Sequence, residues 1–190
     1  LSQSAESIRD ADRYFMLKPD PVEPSVYKAR IISLLRIGQP NKALSDLDVM
    51  RKLTPEDSDT MRLRALALDM LGRSSEALAI ASQAVKLNNI DALQIKAITE
   101  LKLNKMADGV RDTIEFAKKS KNTDALRDIF TVLCQRKEWH KVVIVGQALI
   151  KANLAERQVY PWLADSLFRL HRLSEALAAC DRYKQLFGED

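Results

Sequence analysis

The sequence predicts an all-α protein built as an array of antiparallel helix-turn-helix repeats. Small or apolar residues recur at intervals of 34, 32, 33 and 34 residues. These residues, the repeat markers, are Ala43, Ala77, Gly109, Val142 and Ala176. A period of this length is typical of stacked helical hairpins. A second compact or apolar residue precedes each marker by 12 positions, so each repeat has two helices that approach closely.

Turn residues separate the two members of each pair. The earlier members are Ile31, Ala65, Ala97, Phe130 and Ala164. Five residues before each marker lie Gly38, Gly72, Asn104, Lys137 and His171. Glycine and asparagine accept the left-handed conformation that ends a helix, so the first three are strong stop signals. Lys137 and His171 are weaker ones.

Apolar residues follow helical spacing on both sides of these turns. Tyr27, Ile31 and Leu34 mark one face of a first helix, and the second helices repeat the pattern after each marker. The β-branched run at 142–145 would read as a strand if taken alone. Its register relative to Trp139 favours a helix with bulkier packing.

The motifs resemble the tetratricopeptide repeat (TPR) family. The best match is the second copy, where Leu-Gly-Arg-Ser-Ser-Glu-Ala-Leu at 71–78 is similar to the family's turn between helices. The first copy has the aromatic Tyr27 and the closing Pro55, and the last copy has Tyr160. Gly109 departs from the family's alanine in the third copy. The resemblance implies a right-handed superhelical solenoid whose first helices line a concave face.

The repeat register predicts a single array with an additional helix at its start. Residues 1–23 are expected to be the second helix of a truncated repeat, followed by a stiff connection because prolines stand at 19, 21 and 24. Five repeats then span 24–57, 58–89, 90–122, 123–156 (divergent) and 157–190. We expect the parent protein to continue at both ends, and any bend to lie near Gly109 and Val142.

Charge and cysteine content indicate no specialised environment. The chain has 30 basic and 26 acidic residues, and residues 102–151 hold an excess of five positive charges. The run at 118–121 is interpreted as a solvated turn. Cys134 and Cys180 are too far apart for a metal or redox motif and are expected to be buried. No segment predicts membrane insertion, and a cytoplasmic location is favoured, or a periplasmic one if a signal peptide was removed.

The residue pattern does not indicate catalysis. The two histidines, His140 and His171, lie 31 residues apart, and no metal-binding or phosphate-binding motif is present. Neighbouring carboxylates such as Asp46 and Asp48, or Glu56 and Asp57, are interpreted as solvated surface or helix caps. We therefore predict no enzyme activity, no cofactor, no metal and no small-molecule substrate.

The predicted binding site is the groove lined by first helices. Counting back 15, 11 and 8 positions from each marker selects its residues. They are Lys28, Ile32, Leu35, Arg62, Leu66, Asp69, Gln94, Ile98, Leu101, Arg127, Thr131, Asp165 and Phe168, to which the same count adds Cys134 and Pro161. A mostly basic row, Lys28, Arg62 and Arg127, would lie beside an apolar row. Packing within the hairpins explains any single apolar member equally well.

These features predict a scaffold that binds a peptide or amphipathic helix, with acidic residues, from a partner protein. A clamp for chaperone tails is disfavoured because Ile32, Leu63, Asp91 and Ile95 occupy its polar positions. The alternative is a regulatory or substrate-docking region of a larger enzyme or secretion component. An RNA-binding helical repeat is less favoured, since it rests on the charge of 102–151 alone.

Overall fold

Three-residue turns connect the helices of each pair. A computed structural model describes residues 2–17, 23–55, 57–120 and 126–188. In these residues it contains eleven helices and no strand. The helices are α1 (Ser2–Leu17), α2 (Pro24–Arg36), α3 (Pro40–Leu53), α4 (Ser58–Met70), α5 (Ser74–Lys86), α6 (Ile90–Lys102), α7 (Met106–Lys119), α8 (Arg127–Gln135), α9 (Trp139–Lys151), α10 (Val159–Arg169) and α11 (Leu173–Phe187). The predicted all-α class is confirmed.

All five predicted turn residues adopt the left-handed conformation. Their φ angles are 74° at Gly38 and Gly72, 61° at Asn104, 57° at Lys137 and 59° at His171. In each turn the amide of the next residue bonds to a carbonyl five residues back, as in Arg73 N to Leu68 O at 2.9 Å. This bond satisfies a carbonyl that the end of the first helix leaves open. The weaker turn signals, Lys137 and His171, therefore form the same turn as the glycines.

The chain divides into two compact units, residues 1–99 and 100–190. In unit 1, α2 packs with α3 and α4 with α5. The repeat markers Ala43 and Ala77 and their partners Ile31 and Ala65 have no exposed surface. Farther along, Ala65, Ala81 and Ile95 form a buried cluster, because the small residues leave room for the isoleucine of α6.

The ends of these helices follow from local sequence. Asp57 caps α4 by accepting hydrogen bonds from the backbone amides of Asp59 (3.2 Å) and Thr60 (3.0 Å). Burial opposes ionisation of Asp57, but these bonds and that of the Thr60 hydroxyl hold its pKa below the ordinary value. Proline occupies the first turn of α2 and α3, where the missing amide costs nothing.

Unit 2 has a bulkier core. The run at 142–145 lies within α9, as the register indicated. Phe130, which has no exposed surface, stacks on Trp162 with ring centroids 5.0 Å apart and planes 7° apart. Burying such an aromatic contributes about 1.5–3 kcal/mol. Large residues therefore replace the small ones of unit 1 without interrupting the helix.

Residues 2–17 form a helix that packs on α2. Their assignment as the second helix of a truncated repeat stays a prediction, and Pro19 and Pro21 lie outside the described residues. Cys180 is exposed rather than buried, and Cys134 is half-buried. Cys180 lies on a face of α11 that no described residue covers, although its register equivalents Leu47 and Ala81 are fully buried. The division into five repeats stays a prediction.

At Gly109, α7 lies very near Leu101 of α6. A Cβ atom added there would lie 2.7 Å from Leu101 Cγ and 3.1 Å from the Leu101 backbone nitrogen. Leu101 has no exposed surface and so has little space to move. The alanine that is usual at this repeat position does not fit at 109, because the Leu101 side chain already occupies the space of its methyl group. At Gly146, by contrast, the nearest atom to an added Cβ is 3.6 Å away.

Replacing each of these two glycines with alanine should change the stability of the protein in opposite directions. Gly146→Ala should raise the free energy of unfolding by up to about 1 kcal/mol, the difference in helix propensity. Gly109→Ala gains the same propensity but overpacks the core, which costs about 1–3 kcal/mol, so its net effect should be a loss of about 1 kcal/mol. Urea unfolding followed by circular dichroism measures both. A Gly109→Ala protein as stable as Gly146→Ala would contradict the proposed contact.

Removing a glycine from one of these turns should lower the stability of the protein, and introducing a glycine into another should raise it. Gly72→Ala places a side chain at φ 74° with no neighbour within 4 Å, so any loss comes from the backbone alone and should be about 1–2 kcal/mol. His171→Gly removes the same strain and should stabilise by about 0.5–1 kcal/mol, after the entropic cost of glycine. Thermal unfolding of both variants tests this, and a destabilised His171→Gly protein would be inconsistent with a strained turn.

Candidate partner-binding surface

Arg30 joins the first three helices of unit 1. Its guanidinium donates to both oxygens of Asp46 on α3, at 2.8 and 2.6 Å, and to Asp12 Oδ1 on α1 at 2.5 Å. It also lies 4.2 Å above the ring centre of Phe15. Asp46 is buried, so its interpretation as solvated surface was wrong: a cation from the neighbouring helix compensates its burial. This cluster holds α1, α2 and α3 together.

Asp59 lies between the two members of the predicted basic row that belong to unit 1. Lys28 on α2 and Arg62 on α4 both form ion pairs with Asp59, the Arg62 pair at 2.7 Å. Burial alone would raise the pKa of Asp59, but the hydrogen bonds and charges of Lys28 and Arg62 outweigh it and hold the pKa below its ordinary value of 3.8. The basic row is therefore partly neutralised within the protein, which the register did not reveal.

The predicted apolar row divides between surface and core. Ile32, Leu66 and Ile98 are half-buried, and the first two pack against the main core cluster of unit 1. Leu35 is 6% exposed and Leu101 is fully buried, so both belong to the core and do not line a surface. Two polar members, Asp69 and Gln94, are half-buried and interact within the chain. Helical spacing identified the apolar positions but not their depth.

In unit 2 the predicted set includes an exposed aromatic side chain. Phe168 on α10 is 63% exposed. Asp165, one turn earlier, is exposed and accepts a 2.7 Å hydrogen bond from Arg169. The Arg169 guanidinium lies 4.7 Å above the Trp139 ring centre, a contact that the sequence analysis did not predict. This arrangement presents an apolar group beside an ion pair.

The remaining members of the set in unit 2 lie on α8. Arg127 is exposed and interacts within the chain, and Thr131 is half-buried. The half-buried Cys134 has a raised pKa, mainly because burial disfavours the thiolate and also because the Asp165 carboxylate repels it. A raised pKa keeps the thiol protonated and unreactive.

Three clefts in the described residues lie away from the predicted set. One of about 600 Å³ lies among α3, α4 and α5, one of about 430 Å³ between α10 and α11, and one of about 330 Å³ at the turns of unit 2. Of the positions that the register selects, only Pro161 lines any of the three. Apart from Pro161, these three clefts therefore do not include the predicted first-helix positions.

The described residues contain no group of three His, Cys, Asp or Glu side chains placed to hold a metal ion. Within the same residues, none of the helices combines the length and apolar character needed to cross a bilayer.

A model of the family described as "Psidin, N-terminal TPR repeats region" matches residues 28–168. The chain belongs to this family of TPR proteins. The predicted TPR resemblance is thereby confirmed, and the match covers the first four of the five turns described above. No curated protein matches the TPR array significantly.

Solved structures share the fold of the TPR array at low sequence identity. A tetratricopeptide repeat protein from Parabacteroides merdae has a TM-score of 0.65 and 16% identity, covering all of this chain and 75% of that one. MamA from Desulfovibrio magneticus has a TM-score of 0.56 and 18% identity over 86% of this chain and 94% of that one. A structure of Naa15/Naa10 bound to HypK has a TM-score of 0.51 and 18% identity. The match covers 89% of this chain but only 26% of that one.

The ion pairs of Asp59 should make the stability of the TPR array depend on pH. Because the folded pKa is lowered, the stabilisation is present at neutral pH and is lost as the pH falls below about 3.8. Asp59→Asn should therefore cost about 1 kcal/mol at pH 7 and nothing once the carboxylate is protonated. Urea unfolding between pH 3 and 7 measures this difference. Asp10→Asn, which removes an exposed carboxylate on α1, is the control, and an equal pH dependence in both variants would contradict the prediction.

Proposed function

We propose that this chain is a scaffold that holds a helix or extended segment of a partner protein against the surfaces of its first helices. The TPR fold is generally a protein-interaction scaffold and is typically non-enzymatic. The observation that supports the finer proposal is Phe168, a large aromatic side chain left 63% exposed on a first helix. Aromatic side chains beside charged groups are enriched among residues that dominate binding energy.

The surroundings of Phe168 support its role as an anchor. The half-buried Cys134 on α8 lies near Asp165 and Arg169, and the Asp165–Arg169 ion pair lies on α10 itself. Arg169 is further fixed by its contact with Trp139, so little side-chain entropy remains to be lost on binding. An apolar side chain of the partner would cover Phe168, and polar groups would align with the ion pair.

Unit 1 would contribute a second patch of similar composition. Ile32 and Leu66 are its half-buried apolar members, and the Lys28–Asp59–Arg62 cluster is its charged member. Because Asp59 already compensates part of the positive charge, the partner's acidic residues would mainly contact Lys28, whose side chain is 42% exposed. The proposed partner is therefore amphipathic, with apolar anchors supplying affinity and few acidic residues supplying orientation.

A second candidate is a docking region within a larger enzyme assembly. It is favoured by the likeness to the structure of Naa15/Naa10 bound to HypK, in which the chain corresponds to 26% of a longer one. In that case the same surfaces would hold another subunit, and catalysis would lie outside these residues. The two candidates differ in what the partner does, not in how the chain binds it.

Substitutions on the first-helix surface should abolish capture of the partner. Phe168→Asp removes the exposed anchor, and the pair Lys28→Glu with Arg62→Glu reverses the charge of the patch in unit 1. Each should weaken binding at least about tenfold, because truncating a central anchor typically costs 2 kcal/mol or more. The measurement is quantitative mass spectrometry of proteins cross-linked to the purified chain in extracts of the source cells.

Matched substitutions on second helices provide the controls. Ile144→Asp replaces another exposed apolar residue, 46% exposed on α9, and Arg51→Glu with Lys86→Glu reverses two exposed charges in unit 1. These controls should capture the partner as the unmodified chain does. If first-helix and second-helix variants lose it equally, or neither loses it, the binding surface lies elsewhere.

A further inference from the structure

A small basic cleft lies at the turns of unit 2, away from the first-helix surface. It has a volume of about 330 Å³ and is formed by the α6–α7 turn and the α8–α9 turn. Four basic side chains line it, Lys102, Arg136, Lys137 and Lys141, and Glu138 is the carboxylate among them. His140 also lines the cleft and is exposed. The cleft therefore collects part of the positive charge concentrated in residues 102–151.

The α8–α9 turn differs from the other four turns at a position where those agree. Six residues before the marker, the other turns have Ile37, Leu71, Leu103 and Leu170, and this one has Arg136. One residue before the marker, three of the others have Glu76, Asp108 and Glu175, whereas this turn has Lys141 and the α2–α3 turn has Lys42. Arg136 therefore replaces an apolar residue that all four other turns have, and the lysine before the marker is shared only with the α2–α3 turn.

The fold does not require a lysine at position 137. Lys137 adopts a φ of 57°, where two of the other turns use glycine, and its side chain is exposed. Within the described residues neither Lys137 nor His140 forms an ion pair or a side-chain hydrogen bond. A residue that strains the backbone and makes no stabilising contact points to function, because such departures concentrate at functional sites.

Two of the lining residues form a fixed base for the cleft. Lys141 donates a 2.7 Å hydrogen bond from Nζ to the Leu101 carbonyl and pairs with Glu138. Arg136 contacts the same carboxylate through Nε at 2.7 Å, while its side chain remains 50% exposed. Glu138 therefore orients Arg136 toward the cleft and leaves Lys137 and His140 at the rim. Preorganised cations bind an anion with less loss of entropy than mobile ones.

We propose that this cleft binds an acidic peptide segment, whose carboxylates contact Arg136, Lys137 and His140. A peptide is favoured over single-stranded RNA because Trp139, the aromatic residue that lines the cleft, already has the Arg169 guanidinium over one face of its ring at 4.7 Å. RNA sites of this kind need aromatic faces open for base stacking. The proposal goes beyond the first-helix surface and does not depend on it.

The test measures binding of a fluorescein-labelled peptide of ten glutamates to the full chain by fluorescence anisotropy. The variant is Arg136→Gln with Lys137→Gly, and the lysine change removes a charge while relieving the backbone conformation, so folding should be preserved. The control, Arg36→Gln with Lys42→Gln at the α2–α3 turn, removes the same charge. We expect affinity that falls with salt, a loss of about tenfold or more in the variant, and a change within about twofold in the control.

Each other outcome overturns the proposal. If the glutamate peptide does not bind at low salt, the cleft is not an acidic-peptide site. If variant and control lose affinity equally, binding depends on the net charge of the chain and not on this cleft. Tighter binding of a ten-nucleotide oligouridine, with the same sensitivity to the variant, would assign the cleft to nucleic acid. Arg136→Gln with Lys137→Gly should still capture the partner of the first-helix surface, so failure of that surface and failure of this cleft can be distinguished.

Discussion

The three-residue left-handed turn is the constraint on which the rest of the structure depends. Its central residue has a positive φ in all five helix pairs, and the hydrogen bond that spans it fixes where each first helix ends. The repeat marker then falls in the first turn of the second helix, opposite its partner in the first. Constant turn geometry therefore sets which side chains meet, and the core residues adapt their volumes to that register.

Turn positions and helix pairs were readable from the sequence because both are local. Lys137 and His171 show that register carries more information than residue type, since neither is a typical turn former and both adopt the glycine conformation. Depth is not local. Leu35 and Leu101 have the spacing of surface residues on a first helix, yet neighbouring helices cover them. Periodicity identifies a helical face without showing how much of it the next helix buries.

Electrostatic partners were the least predictable part of the candidate site. Asp59 lies 31 residues from Lys28 in the sequence, and Asp46 lies 16 residues from Arg30, so their pairing depends on how helices stack. The sequence showed a basic row, whereas the folded chain shows cations already engaged by carboxylates. Unit 2 has exposed cations at the α8–α9 turn, Arg136 and Lys137. The sequence showed them only as part of the excess positive charge in residues 102–151.

The contact between Gly109 and Leu101 has an evolutionary consequence. A side chain at 109 is compatible with this core only after residue 101 becomes smaller, since the added atom would meet the leucine at 2.7 Å. Position 146 carries no such condition. Among relatives that keep the third repeat, residues 101 and 109 should therefore covary as a pair, with alanine at 109 accompanying a shorter residue at 101, while position 146 varies independently.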